Sequence, residues 1–217
     1  MLIICDFDGT VTARDTNSAL AQRFSPDAYA GLEGKLATRE LTLREVLAGE
    51  FAGMSAELEE VVACALGIPF RDGFAELLAT AHISGHEVVL LSSGFRQIIE
   101  PMLEREGLLG AVPLVCNDIA FDGRGGTITW RELPTCEVCG EPCKRADVRR
   151  LRAESEHDTV VFVGDGFSDR CGADIADRIF ARDSLSDWLN TQQVTWEPWD
   201  DFHDVARALQ LVQEPST

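Results

Sequence analysis

Two aspartates, Asp6 and Asp8, stand one residue apart just past the apolar run Leu2-Ile3-Ile4-Cys5. Alternate residues of an extended chain lean to the same side, so both carboxylates can face one point. Like charges that close repel, and a cation should lie between or against them. Mg²⁺ suits such a place, because it takes one or two carboxylates and keeps waters for a substrate phosphate. The same stretch also reads as a strand entering an ordinary turn, with Asp8-Gly9 as the turn pair. Farther on, Gly164-Asp165-Gly166-Phe167-Ser168-Asp169 repeats the theme. Asp165 follows an apolar run, Asp169 stands where a helix begins, and the flanking glycines let the backbone come close to a ligand. Between these two places lies Ser92-Ser93-Gly94, which closes a third apolar run. It reads either as an anion site at a helix start or as a plain serine-glycine turn. Lys144 opens a helix ahead of the Asp165 strand.

These groups need elements to hold them. The apolar runs at residues 1–5, 87–91 and 159–163 are nearly continuous, the pattern of strands buried on both faces of a parallel sheet. Right-handed crossovers would bring their polar ends to one edge, where open α/β sheets bind ligands. Residues 15–67 carry helical spacing and no strand pattern. Ser25-Pro26 reads as a cap with proline at the first helical position, Thr42-Leu43-Arg44-Glu45 as a capping box, and Ser55 as the start of a helix running to Leu66. Residues 69–73 form the return linker. Helices are expected at 74–82, 95–106 and 144–153, a short strand at 112–117, a hairpin at 119–130, a last strand at 179–181 and a helix at 201–212, before a frayed tail. The fold class is α/β, a Rossmann-like parallel sheet with helices on both faces and an inserted helical unit. The core spans 1–13 and 70–217, and 14–69 is the insertion, either a lid over the site or a packing layer.

The chain has 217 residues, enough for one such core with an insertion, and 45% hydrophobic content suffices to fill it. Its formal net charge of −18 argues against nucleic acid or an anionic membrane as partner. An anionic substrate would then need a metal and local cations to reverse the field. The absence of a membrane-length apolar run or a signal-like start, with an odd seven cysteines, points to reduced thiols and a cytoplasmic protein. Cys136-x-x-Cys139-Gly140 with Cys143 resembles a zinc knuckle lacking its fourth ligand, for which Cys116 is the best candidate; three reduced cysteines in a surface loop is the other reading. His82, His86, His157 and His203 are scattered and read as structural or exposed.

The ordered set Asp6-x-Asp8, Ser92, Lys144, then Asp165 and Asp169 resembles the four motifs of the haloacid dehalogenase superfamily, with the insertion placed like that superfamily's small helical cap. The resemblance implies a Mg²⁺-dependent phosphatase acting on a small phosphorylated metabolite. Asp6 would be the nucleophile, and Asp8 the acid and then the base. Ser92 and Lys144 would hold phosphoryl oxygens, and Ser93 and Gly94 would bind the substrate beside them. The metal would sit on Asp6, the Asp8 carbonyl and Asp165, supported by Asp169. Within the superfamily, Ala21-Gln22-Arg23-Phe24-Ser25-Pro26, the lead into Cys143-Lys144, Phe180-Ala181-Arg182-Asp183 and Trp199-Asp200-Asp201-Phe202 look like the methionine-salvage phosphatases, which act on 2-hydroxy-3-keto-5-methylthiopentenyl-1-phosphate. Ser92-Ser93-Gly94 stands where Ser-Gly-Gly is commoner, and Arg145 follows Lys144 where proline is commoner. The alternatives are a phosphoserine phosphatase or other small phosphomonoesterase, a phosphotransferase or mutase of the same chemistry, and a zinc-binding scaffold without catalysis.

Overall fold

The computed structural model describes residues 1–211. Its strands are β1 (Leu2–Cys5), β2 (Glu87–Phe95), β3 (Leu114–Phe121), β4 (Gly126–Thr129), β5 (Val160–Gly164), β6 (Arg178–Ala181) and β7 (Glu197–Pro198). They form one sheet of order β4-β3-β2-β1-β5-β6-β7, parallel except for the β3–β4 hairpin. The apolar run of β1 is wholly buried because it lies mid-sheet with both faces covered. Ile3 and Cys5 point into one core layer with Leu90 and Val161, while Leu2 and Ile4 point into the other with Val89 and Phe162. Neighbours β2 and β5 flank β1 on opposite sides, so the strand order reverses there and opens a crevice beyond its carboxyl end.

Helices cover both faces. On one lie α5 (Phe74–Ile83), α6 (Arg96–Arg105) and α10 (Phe202–Ala208). On the other lie α7 (Lys144–Glu154) and α9 (Asp183–Gln192), with the short α8 (Arg170–Ala173) beside them. Between β1 and α5 run α1 (Thr16–Phe24), α2 (Pro26–Ala37), α3 (Leu43–Ala52) and α4 (Leu58–Ala65). The Thr42 capping box forms as its spacing predicts, the hydroxyl accepting the Glu45 N–H at 3.2 Å and the Glu45 carboxylate accepting the Thr42 N–H at 2.8 Å.

Several boundaries depart from the sequence reading. Helix α2 does start with Ser25 at its N-cap and Pro26 first in the helix, but the Ser25 hydroxyl donates back to the Ala21 carbonyl at 3.2 Å instead of accepting from the α2 backbone. Helix α4 starts at Leu58 with Glu57 as its cap, not at Ser55. Strand β2 runs on through Ser92 to Phe95, and residues 112–117 merge with the hairpin's first strand into β3. β6 is not the last strand, since β7 follows it. Helix α9 has no counterpart in the reading: only Leu185 and Leu189 of it are buried, too narrow a stripe to stand out. The tail at 214–217 lies outside the described residues.

Candidate active site

The ladder to β5 continues one residue past β1, with the Asp6 N–H on the Val163 carbonyl at 2.9 Å. The chain then turns sharply. Gly9 takes φ +87°, and a Cβ there would overlap the Asp165 carboxylate, so the turn needs glycine on both counts. The Thr12 hydroxyl accepts the Gly9 N–H at 2.9 Å and lies 2.8 Å from the Arg14 carbonyl, tying the turn shut. Asp6 is left almost fully buried, facing the loop after β5.

That loop and the first residue of α7 meet it. Lys144 is 1% exposed and donates from Nζ to Asp6 Oδ1 and, at 2.7 Å, to Asp169 Oδ1. The other Asp169 oxygen accepts the Asp165 and Gly166 N–H groups at 3.0 and 2.9 Å, fixing the loop that carries Asp165. Asp165 accepts the Thr10 hydroxyl at 2.7 Å. Asp6, Asp165 and Asp169 each place a carboxylate oxygen within 4.8 Å of the other two.

One ammonium does not balance these acids. Burial first, then the charge of Asp169, holds Asp6 well above the ordinary carboxylate range, although Lys144 pulls the other way. Burial and Asp169 likewise push Asp165 up to about 7. Lys144 is raised despite its burial, because Asp169 and Asp6 stabilise the ammonium. A group of hard oxygen donors short of positive charge fits a small divalent cation such as Mg²⁺.

The Asp8 carboxylate lies apart from this group. It accepts the Ser92 hydroxyl at 2.9 Å, and burial followed by the charge of Asp15 lifts it to about 7. Ser92 Oγ also accepts the Gly94 N–H at 2.7 Å. A Cβ on Gly94 would stand 2.6 Å from Asp8 Oδ2, so only glycine permits this approach. Ser92 is fully buried and faces Asp8, while Ser93 lines the cavity. With β2 extended to Phe95, these residues form a strand end with a shifted register, not the serine turn expected.

Above the acids opens a cavity of about 280 Å³. Asp6, Asp8 and Asp165 line it with Phe167 and Ser168 of the core, and Asp15, Glu33, Leu36, Leu43, Val46, Leu47 and Glu50 of the inserted segment line it too. Arg39, Arg44, Arg131 and Arg170 line a smaller adjoining recess beside Lys144. Sequence reasoning missed Asp15, Glu33, Glu50 and these arginines. Glu50 did leave a signal: an acid in the stripe Val46, Leu47, Glu50, Phe51, which the structure buries as a unit. One Glu50 oxygen has no hydrogen-bond partner, and burial, then the charges of Glu33 and Asp15, lift its carboxyl to about 7.

The cysteines correct one expectation. Cys136, Cys139 and Cys143 converge, but their fourth neighbour is Cys171 of α8. Cys116 sits buried on β3, outside that group. All seven cysteines are free thiols.

Comparison with known proteins places these features in context. Residues 3–174 match the model of the haloacid dehalogenase-like hydrolases. A 2-hydroxy-3-keto-5-methylthiopentenyl-1-phosphate phosphatase of Brevibacillus brevis is 31% identical, over 99% of this chain and 97% of its own length. One of the same name from Microcystis aeruginosa is 29% identical, over 97% of this chain and 98% of its own. Among solved structures, one titled a phospho-aspartyl intermediate analogue of phosphoserine phosphatase superposes with a TM-score of 0.71 over 95% of this chain and 97% of that one. At 16% identity that likeness concerns the fold alone.

Proposed function

This chain belongs to the haloacid dehalogenase-like hydrolase family and is a phosphatase of it, and we propose that it hydrolyses a small phosphomonoester through a phosphorylated Asp6. The observation that carries this reading is the meeting of Asp6 with Lys144, Asp165 and Asp169 beside a cavity, with the Asp8 carboxyl set to one side. Asp6, Asp165, Asp169 and the Asp8 carbonyl would hold Mg²⁺, which when bound supplies positive charge against the phosphoryl oxygens. The Asp6 carboxylate attacks phosphorus and the bond to the ester oxygen breaks. That oxygen takes its proton from Asp8, whose raised affinity for a proton suits an acid at neutral pH. Water then attacks the acyl phosphate and gives its proton to Asp8, releasing phosphate and free Asp6. Lys144 and Ser93 hold phosphoryl oxygens. Ser92 orients Asp8. Residues 14–69 act as a cap, because their helices line the cavity.

For the substrate we take 2-hydroxy-3-keto-5-methylthiopentenyl-1-phosphate or a close relative. The names of the full-length relatives support this, and so do Leu36, Leu43, Val46 and Leu47, which offer an apolar wall to an uncharged thioether chain. A protonated Glu50 could donate to a keto or enol oxygen. One observation favours phosphoserine instead: Arg39, Arg44 and Arg131 would give a substrate carboxylate partners. The test compares kcat/KM for the enol phosphate and for phosphoserine, with rapid quenching and peptide mapping to find the phosphorylated residue. Higher kcat/KM for the enol phosphate and a phosphorylated peptide containing Asp6 are expected. Preference for phosphoserine reverses the substrate assignment, and a phosphoryl adduct elsewhere overturns the role of Asp6.

A further inference from the structure

Past the hairpin the chain folds Cys136-Glu137-Val138-Cys139-Gly140-Glu141-Pro142-Cys143 into a tight loop. An isolated bridge joins Thr135 and Pro142 at its base. The Gly140 N–H donates to the Cys136 carbonyl at 3.0 Å, and the Cys136 N–H to the Glu141 carbonyl at 3.1 Å. Gly140 has φ +78°, a turn that swings Cys139 and Cys136 to the same side. The Val138 N–H points at Cys136 Sγ at 3.4 Å, a donor aimed at sulfur. Cys143 caps α7 at the far end of the loop, and Cys171 arrives from α8.

The four sulfurs lie within 4.8 Å of one another, and none is in a disulfide. Thiols are weak hydrogen-bonding groups, so nothing in ordinary packing draws four of them from two separate segments to one point. A tetrahedral zinc does: with Zn–S bonds of about 2.3 Å its sulfurs stand about 3.8 Å apart. A disulfide would join two and leave two unexplained. A four-iron cluster would push the sulfurs farther apart, because the edge of the cube lies between them. The surroundings suit a site that carries net negative charge with four thiolates. Arg145 donates to the Cys171 carbonyl at 3.2 Å and pairs with Asp174 at 2.7 Å beside the cluster.

We propose that Cys136, Cys139, Cys143 and Cys171 bind one structural Zn²⁺ that rivets the start of α7 to α8. Four protein donors close the coordination sphere, so this zinc takes no part in chemistry. Its effect is positional. Cys143 immediately precedes Lys144, and Cys171 follows Asp169 by two residues, so the metal would fix the two backbones whose side chains meet at 2.7 Å in the active site. The proposal stands on the sulfur geometry and is independent of which phosphate ester is hydrolysed.

Elemental analysis of the full chain, purified without chelator, should find about one zinc per chain. Exchange with Co²⁺ should give the visible d–d bands and near-ultraviolet sulfur charge-transfer bands of a tetrahedral four-thiolate centre. Cys171→Ser should release zinc more readily to a chromophoric chelator and show cobalt bands of fewer thiolates, whereas Cys116→Ser should match the unsubstituted protein in both. Should Cys171→Ser fail to fold, the cobalt spectrum of the unsubstituted chain decides alone: four-thiolate bands support the site, and bands of fewer thiolates overturn it. The proposal also falls if reduced protein takes up neither Zn²⁺ nor Co²⁺, if Cys171→Ser keeps metal as tightly as the unsubstituted chain, or if Cys116→Ser loses it.

Discussion

At the scale of single residues, Asp6 is both the proposed nucleophile and a source of strain. Its carboxylate is buried beside Asp165 and Asp169 with one lysine among them, so its charge is disfavoured in the metal-free chain. Asp6→Asn should therefore abolish turnover while leaving the metal-free melting temperature unchanged or higher. Paired assays and differential scanning calorimetry check this, and a lower melting temperature would show that Asp6 is needed for folding. Lys144 is the opposite case, a buried cation with carboxylates on two sides. An ammonium held against a phosphoryl group acts like an oxyanion-hole donor, so Lys144→Ala should lower kcat on the order of 10²–10³-fold. It should also destabilise the chain by about 3–5 kcal/mol, the usual penalty for stripping one partner from a buried pair. A variant with near-normal kcat would remove Lys144 from the reaction.

Helix α3 shows how one element serves both packing and the site. The Thr42 capping box fixes its start, and Val46, Leu47 and Phe51 seat it in the core. Glu50 lies on that same buried face and carries an oxygen with no partner. Its carboxyl is raised to about 7 in the fold from the ordinary 4.5, so folding takes up a proton between those values. Stability must then fall as pH rises through that window, because the folded state binds more protons than the unfolded one. Glu50→Gln does not titrate. Its stability should come close to that of the unsubstituted chain at pH 4.5, exceed it increasingly up to about pH 7 by an amount on the order of 1–3 kcal/mol, and hold that margin at pH 8, as read by denaturation. A constant difference across that range would show that Glu50 is not held protonated.

At the scale of the molecule, the net charge of −18 and the buried acids make added cations a matter of global stability. If Asp6, Asp165 and Asp169 hold Mg²⁺, saturation at about a hundred times its Kd adds about 2.7 kcal/mol to folding. In a chain of this size that is a rise of several degrees in melting temperature. EDTA should reverse the rise and Asp165→Asn should prevent it, both read by thermal denaturation without substrate. An equal rise in Asp165→Asn would place the cation elsewhere. Among the described residues no helix is long and apolar enough to cross a membrane.

What the sequence determined by itself was the sheet and the order in which its ends carry polar groups. Runs such as Leu2-Ile3-Ile4-Cys5 and Val160-Val161-Phe162-Val163 can be satisfied only by burial on both faces, and parallel crossovers then bring Asp6, Asp165 and Lys144 to one edge. The Thr42 box was legible for the same reason, since it is built entirely from neighbours in the chain. Contacts between distant segments had no such signature. Cys171 joins the thiol cluster because α8 packs against α7, and the stretch from 144 to 170 that separates it from Cys143 shows no ligand spacing. Arg131 reaches the recess beside Lys144 by donating to the Ser92 carbonyl at 2.8 Å and Asp147 at 3.0 Å, partners set by the hairpin's docking. The choice of Ser93 over Ser92 for the cavity wall depended on how far β2 extends beside β3, which turns successive side chains to opposite faces. Local pattern fixes which face of an element is buried; only packing decides what each buried face meets.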